Sequence, residues 1–276
     1  MITSQTLCIH GTHNPLYITF PLFDSIPFVK HAFTTRFGGV SKGMYSSMNM
    51  SFTNGDNRED VLENYRIICQ HTGIDIKKMV LSHQTHTNNV RIVTTDDIGK
   101  GIWKERDYDD VDGLITNIPG VALVTQYADC TPLLFCDPVK RVVASSHAGW
   151  RGTVTEIGKV TVKKMVDAFG CNPENIIAAI GPSIGHCCYE VDDAVYSPLS
   201  QISYLDHSKI LTHKENGKYM LNLWETNRQI LINAGIRPEN IDVTDLCTNC
   251  HPDVFHSHRY TGGKRGNLAA IIALSE

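Results

Sequence analysis

The chain has 276 residues, 42% apolar and 20% charged, with a formal charge of −4. That balance excludes a disordered chain and gives no electrostatic reason to expect a nucleic-acid or membrane partner. No stretch of about 18 apolar residues is present to span a bilayer, and the N-terminus lacks the basic start and apolar run of a secretory signal. Thirteen histidines and nine cysteines are the unusual part of the composition. An odd cysteine count in a chain long enough to fold without staples reads as reduced thiols in the cytoplasm, some of them ligands or nucleophiles.

With no tandem repeat, low-complexity tract or linker, one domain is expected. Arg58 to Thr72 reads as a helix through Val61, Leu62, Tyr65, Ile68 and Cys69. The polar, acid-rich segment from about Thr94 to Asp112 reads as a surface excursion. Gly120 to Gln126 is a β-rich run; Leu133 to Cys136 and Val142 to Ser145 form two more, joined by a turn at Asp137-Pro138-Val139-Lys140. Thr153 to Phe169 reads as an amphipathic helix with Thr153 as N-cap. Ile176 to Ile180 is a short buried strand, Leu221 to Ala234 a helix closed by Gly235, and Ile241 to Leu246 and Asn267 to Leu274 are late strands. Hairpins beside strands that lead into helices predict a layered α/β fold with mixed sheets.

Chemistry concentrates in four places. Ser82-His83-Gln84-Thr85-His86 carries two histidines able to face one metal from a turn, although hydrogen-bonded loop histidines are the commoner case. Tyr127-Ala128-Asp129-Cys130-Thr131-Pro132 puts a cysteine at a strand end, where a buried small hydrophobe is the alternative. Ser146-His147-Ala148-Gly149-Trp150-Arg151-Gly152-Thr153 leaves a strand through two glycines into a helix. Free N–H groups there attract anions, and Arg151 adds a guanidinium clamp. Cys247-Thr248-Asn249-Cys250, followed by His251, His256 and His258, has the spacing of a structural zinc site but lacks a second pair, and no thioredoxin-like context supports a redox dithiol, so a site wall or accessory thiols is the reading.

Cys130 enters the first strand of the hairpin and His147 leaves the second, so antiparallel pairing brings them to one end of the sheet. One histidine from the His83/His86 turn completes three N/S ligands, the pattern of a catalytic zinc with an open position. His86 as a fourth, closing ligand stays open.

Read together, these motifs resemble the YfiH/YlmD family, also called the laccase-domain or multicopper polyphenol oxidoreductase family. The resemblance also takes in Thr34-Thr35-Arg36-Phe37-Gly38-Gly39-Val40-Ser41, Gly181-Pro182-Ser183-Ile184-Gly185, Cys188-Tyr189-Glu190-Val191 and Phe255-His256-Ser257-His258-Arg259. It implies a single-domain layered α/β sandwich related to the CNF-type bacterial deamidase toxins, with a zinc site made by His83, Cys130 and His147. It also implies phosphorolysis of adenosine, guanosine, inosine and methylthioadenosine, with adenosine deamination. Older descriptions of the family are of copper-dependent phenol oxidation and of editing of peptidoglycan precursors. Thr87 stands where the family usually has glycine, and Tyr260 where a second arginine is frequent.

The expectation is therefore a zinc enzyme, with copper as the other candidate metal, in which purine nucleoside and phosphate are the partners. His83, Cys130, His147 and Asp129 form its catalytic group. Phosphate and substrate contacts are expected from Arg36, Gly149, Arg151, Gly152, Cys250 and Arg259. Asp129 is read as a partner that fixes a histidine, or as a proton carrier. The alternatives are a metal-free hydrolase with Cys130 as nucleophile and His147 as base, a copper polyphenol oxidase, and a zinc-stabilised binding module. A laccase needs several coppers and roughly ten ligating histidines, more than these motifs supply.

Overall fold

The computed structural model describes residues 2–276. Its strands are β1 (Cys8–His10), β2 (Tyr17–Thr19), β3 (Val29–Thr34), β4 (Met79–Leu81), β5 (Val90–Ile92), β6 (Gly113–Thr116), β7 (Ala122–Tyr127) and β8 (Thr131–Asp137). They continue with β9 (Val142–Ala148), β10 (Ile177–Ile180), β11 (Glu190–Val191), β12 (Leu211–His213), β13 (Tyr219–Leu221), β14 (Ile241–Val243) and β15 (Leu268–Leu274). The helices are α1 (Pro21–Asp24), α2 (Arg58–Thr72), α3 (Trp150–Val154), α4 (Ile157–Phe169), α5 (Asp193–Ser200), α6 (His207–Ile210), α7 (Leu223–Asn233) and α8 (His258–Thr261).

Two six-stranded sheets, β1-β2-β3-β15-β7-β4 and β14-β10-β8-β9-β6-β5, lie face to face, and a three-stranded sheet β11-β13-β12 flanks them. Both large sheets are mixed: β4 pairs parallel to β7, and β5 and β14 are parallel to their neighbours, while the remaining ladders are antiparallel. Alternation along β15 shows the layering. Leu268, Ala270 and Ile272 join Leu134 and Val143 between the sheets, whereas Ala269, Ile271 and Ala273 pack on Val61, Tyr65 and Ile68 of α2. On the outer face of the second sheet, Leu133, Phe135 and Ala144 meet Val162 and Met165 of α4 and Leu231 of α7. The order of layers is thus helix, sheet, sheet, helix. Burial on both faces is why β15, Leu268–Leu274, is an unbroken apolar run.

The helix predicted over Arg58–Thr72 has those bounds. The Asn57 side chain accepts from the amides of Glu59 and Asp60, and Gly73 ends it at φ 65°, a left-handed residue that glycine adopts without Cβ strain. Two expectations are corrected. The helix read from Thr153 is two helices, because Glu156 at φ 55° interrupts it; Thr153 lies inside α3, buried, and Gly149 is the N-cap. The acidic segment is only partly surface. Asp97 and Asp112 are fully buried, and Asp97 is held by Arg91 and Lys100 at 2.8 Å each.

Candidate active site

The β8–β9 hairpin builds the centre. Its register sets Thr131 opposite Ala148 and Pro132 opposite His147, so Cys130, just before β8, emerges beside the His147 side chain. The His147 ring lies in the space between the sheets, 5.5 Å from the Tyr127 ring. The third member comes from the loop after β4. His86 stands at φ 69°, its ring 4.9 Å from that of His147 and its Nε2 3.9 Å from Cys130 Sγ. One ligand atom from each of His86, Cys130 and His147 lies within 4.8 Å of the other two.

Asp112, at the mouth of β6, holds this group together. Its carboxylate accepts from the backbone amides of Thr85, His86 and Thr87, from the Thr87 hydroxyl at 3.1 Å, and from His147 Nδ1 at 2.7 Å. One buried carboxylate thereby fixes the unusual backbone at His86 and turns His147 Nε2 towards Cys130. Burial would raise the Asp112 carboxyl, but the hydrogen bond and charge of His147 and the loop amides outweigh it and hold it at about 2. Burial would likewise raise the Cys130 thiol and lower His147. Their mutual attraction wins, leaving Cys130 at about 6 and His147, helped by Asp112, at about 9. That attraction favours the thiolate–imidazolium form of the pair.

The donor set suits a soft or borderline metal: one thiolate and two imidazoles, three donors with room for a fourth ligand. Gly149 leaves that space. A Cβ there would lie 3.0 Å from Cys130 Sγ and 3.0 Å from His86 Cδ2, so any larger residue would push the ligands apart.

The group sits on the wall of a cavity of about 580 Å³, within the range of small-molecule sites. Arg106, Arg151, Arg259 and Arg265 line it as cations, and Phe52, Trp150 and Tyr189 supply aromatic surface.

Several candidates from the sequence sit in that lining: His83, Asp129, Gly149, Arg151 and Arg259. His83 lies apart from the three-donor group, with its Nδ1 3.1 Å from Asp109 and its backbone bridged to Val111. Where the sequence reading put His83 beside Cys130 and His147, the geometry brings His86. Asp129, at φ 84°, accepts from the Thr248 hydroxyl and the Arg259 amide, both at 2.6 Å, so it braces the cavity wall and makes no hydrogen bond to His86 or His147. Arg36 spends its guanidinium on the carbonyls of Ser46 and Pro252 outside the cavity lining. Gly152 is buried behind the lining, in a five-residue helix too short to offer a dipole. Cys250 faces other thiols, with its Sγ 3.4 Å from both Cys187 and Cys188.

Asp112, Arg106, Arg265 and Tyr189 were not among the sequence candidates. For Asp112 a signal existed: an acid immediately before the apolar Gly113-Leu114-Ile115-Thr116, a strand start inside an otherwise solvated acidic run. Nothing local marks the two arginines.

This chain is similar to known proteins along most of its length. The purine nucleoside phosphorylase YlmD of Bacillus subtilis is 41% identical over 250 residues, 88% of each chain. The adenosine deaminase RL5, from an unknown prokaryotic organism, is 32% identical over 85% of this chain and 90% of its own. The crystal structure of the hypothetical protein YfiH of Bacillus licheniformis superposes with a TM-score of 0.91 at 33% identity, covering 98% of this chain and all of that one. The family model described as multi-copper polyphenol oxidoreductase laccase matches residues 30–275, and the chain belongs to that family.

Proposed function

We propose that this chain is a metal-dependent purine nucleoside phosphorylase that also deaminates adenosine, acting at His86, Cys130 and His147. The observation that carries the reading is the placement of a three-donor centre with an open side on the wall of a cavity of nucleoside size lined by four arginines. The relatives' names point the same way.

His86, Cys130 and His147 would hold the metal, with zinc the best match to two imidazoles and a thiolate; bound there, it would supply Lewis acidity to an oxygen of phosphate or water. Asp112 keeps His147 in the tautomer that leaves Nε2 free as a donor. Arg151, Arg259 and Arg265 hold the phosphate dianion, and the aromatic wall of Tyr189 and Trp150 takes the purine. A phosphate oxygen attacks C1′ of the ribose as the bond from C1′ to the purine nitrogen breaks. The base leaves with the bonding pair and takes up a proton, giving free purine and ribose 1-phosphate. Charge spreads over an oxocarbenium-like ribose, so fixed cations and positioning dominate the rate enhancement. Water held where phosphate sits would serve deamination at C6 of adenosine. Of the two groups of donors that could hold a metal among the described residues, only this one contains histidine, which fits a single centre better than a laccase's several coppers.

One observation favours a second reading. Cys130, His147 and Asp112 are arranged as nucleophile, base and orienting acid, with the thiol lowered to about 6, as a metal-free cysteine hydrolase would require. Metal-quantified protein incubated with adenosine, with and without phosphate, separates the two. Adenine and ribose 1-phosphate formed only with phosphate, and abolished by chelation, support phosphorolysis. Failure of metal-loaded protein to turn over any purine nucleoside moves the assignment to the hydrolase.

A further inference from the structure

The second group of donors lies outside the cavity lining and plays no part in the reaction above: Cys187, Cys188, Cys247 and Cys250. The first pair sits in the loop between β10 and β11, the second in the loop after β14. Parallel pairing of β10 with β14 continues through a bridge between Ser183 and Cys247, and this brings the two loops together across some 60 residues of sequence. Each pair is presented by a tight turn. The Cys188 and Tyr189 amides donate to the Gly185 carbonyl, and the His251 amide donates to the Cys247 carbonyl.

All four Sγ atoms lie within 4.8 Å of one another, and Cys250 Sγ is 3.4 Å from Cys187 Sγ and 3.4 Å from Cys188 Sγ. These distances are far beyond the roughly 2.05 Å of a disulfide, and the equal spacing about Cys250 singles out no bonded pair. Four thiolates about 2.3 Å from a tetrahedral ion would have edges of about 3.8 Å, close to what is found. Two further features fit a metal. The Gly185 amide donates to Cys247 Sγ at 3.2 Å, a bond that stabilises a thiolate. Gly185 itself packs tightly on the group, since a Cβ would meet Cys247 Cβ at 3.1 Å and Cys187 Sγ at 3.3 Å and crowd the thiols.

We propose that Cys187, Cys188, Cys247 and Cys250 form a closed, four-thiolate site for one structural zinc ion, separate from the three-donor centre. The ion ties together two loops that carry cavity residues. Tyr189 follows Cys188, the Arg259 guanidinium lies 5.3 Å from the Tyr189 ring and contacts the Cys188 carbonyl, and Thr248 donates to Asp129. Filling the site therefore sets the position of the Tyr189–Arg259 wall without touching the reacting atoms.

The test uses the full chain, purified under reducing conditions after growth with zinc, and measures metal per chain by mass spectrometry of the elements. Cys130→Ala combined with His86→Ala should keep one equivalent of zinc. After exchange with cobalt, that variant should show the intense thiolate-to-metal absorption of a tetrahedral sulfur site. Adding Cys188→Ser and Cys250→Ser should remove both the metal and the absorption. A folded Cys130→Ala/His86→Ala variant with no bound metal would overturn the proposal. So would a denatured thiol titration of the wild type that finds seven free thiols instead of the nine in the sequence, the signature of a disulfide. Because the first variant lacks the three-donor centre, neither outcome depends on the phosphorylase reading.

Discussion

The two donor groups of this chain differ in ways that foretell different roles. His86, Cys130 and His147 mix nitrogen with sulfur, face a large cavity and are oriented from behind by a buried carboxylate. The four cysteines are all sulfur, run from the buried Cys247 to the exposed Cys187 and Cys250, and take a backbone amide of Gly185 at Cys247 with no carboxylate behind them. Three donors with an open side suit a reacting ligand, whereas four thiolates leave no position for one. The difference follows from where each group sits on the second sheet. The first grows from the ends of the central hairpin, facing the space between the sheets; the second grows from loops at its β10–β14 edge.

Cys130→Ala should break the first centre most completely. A loss of roughly a thousandfold or more in phosphorolysis is expected, from several kcal/mol of transition-state stabilisation, with circular dichroism unchanged. Cys188→Ser/Cys250→Ser should instead act mainly on KM for the nucleoside, by less than about tenfold (under roughly 1.4 kcal/mol). Equal effects on kcat from both would erase the distinction. Next comes Asp112→Asn, which keeps the shape but removes the charge facing His147. Metal affinity at the three-donor centre should fall about 10–100-fold, read by competition with a chromophoric chelator, while the cobalt signal of the four-thiol group stays.

A fold-wide effect of acid must be separated from metal release. His31 is buried and accepts from the Phe20 amide at 2.8 Å, and burial lowers it to about 4. The folded chain keeps it neutral while the unfolded chain protonates it below pH 6.5. Stability from this group is therefore full above 6.5 and is lost as pH falls towards 4, by on the order of 3 kcal/mol. Urea unfolding at pH 7 and 4.5 should show this loss with and without chelator; a loss confined to metal-loaded protein would assign the acid sensitivity to the metal centres instead. The smallest effect expected is that of His83→Ala. Metal content should change by less than about twofold, well under 1 kcal/mol, whereas His86→Ala should empty the three-donor centre.

Much of the scaffold was legible because its signals are local. Asn57 and Gly73 bracket a helical period over Arg58–Thr72, and the Asp137–Lys140 turn fixes a hairpin whose register brings Cys130 to His147. The choice of His86 over His83 was not legible. It rests on a left-handed backbone held by Asp112, 26 residues further along; the sequence marks Asp112 as an acid at a strand start but not which histidine its carboxylate positions. The four-thiol group was hidden for a similar reason: Cys187-Cys188 and Cys247-Cys250 meet only once β10 and β14 pair. Arg36 shows the opposite failure. It was expected to contact phosphate, but its guanidinium is consumed by backbone carbonyls.

The most direct test of the two-centre account is anomalous diffraction at the zinc edge from crystals of zinc-grown protein. The account predicts two peaks, one among His86, Cys130 and His147 with His83 left on Asp109, and one among Cys187, Cys188, Cys247 and Cys250. A peak ligated by His83 in place of His86, or fully loaded protein with no peak at the three-donor centre, would contradict it.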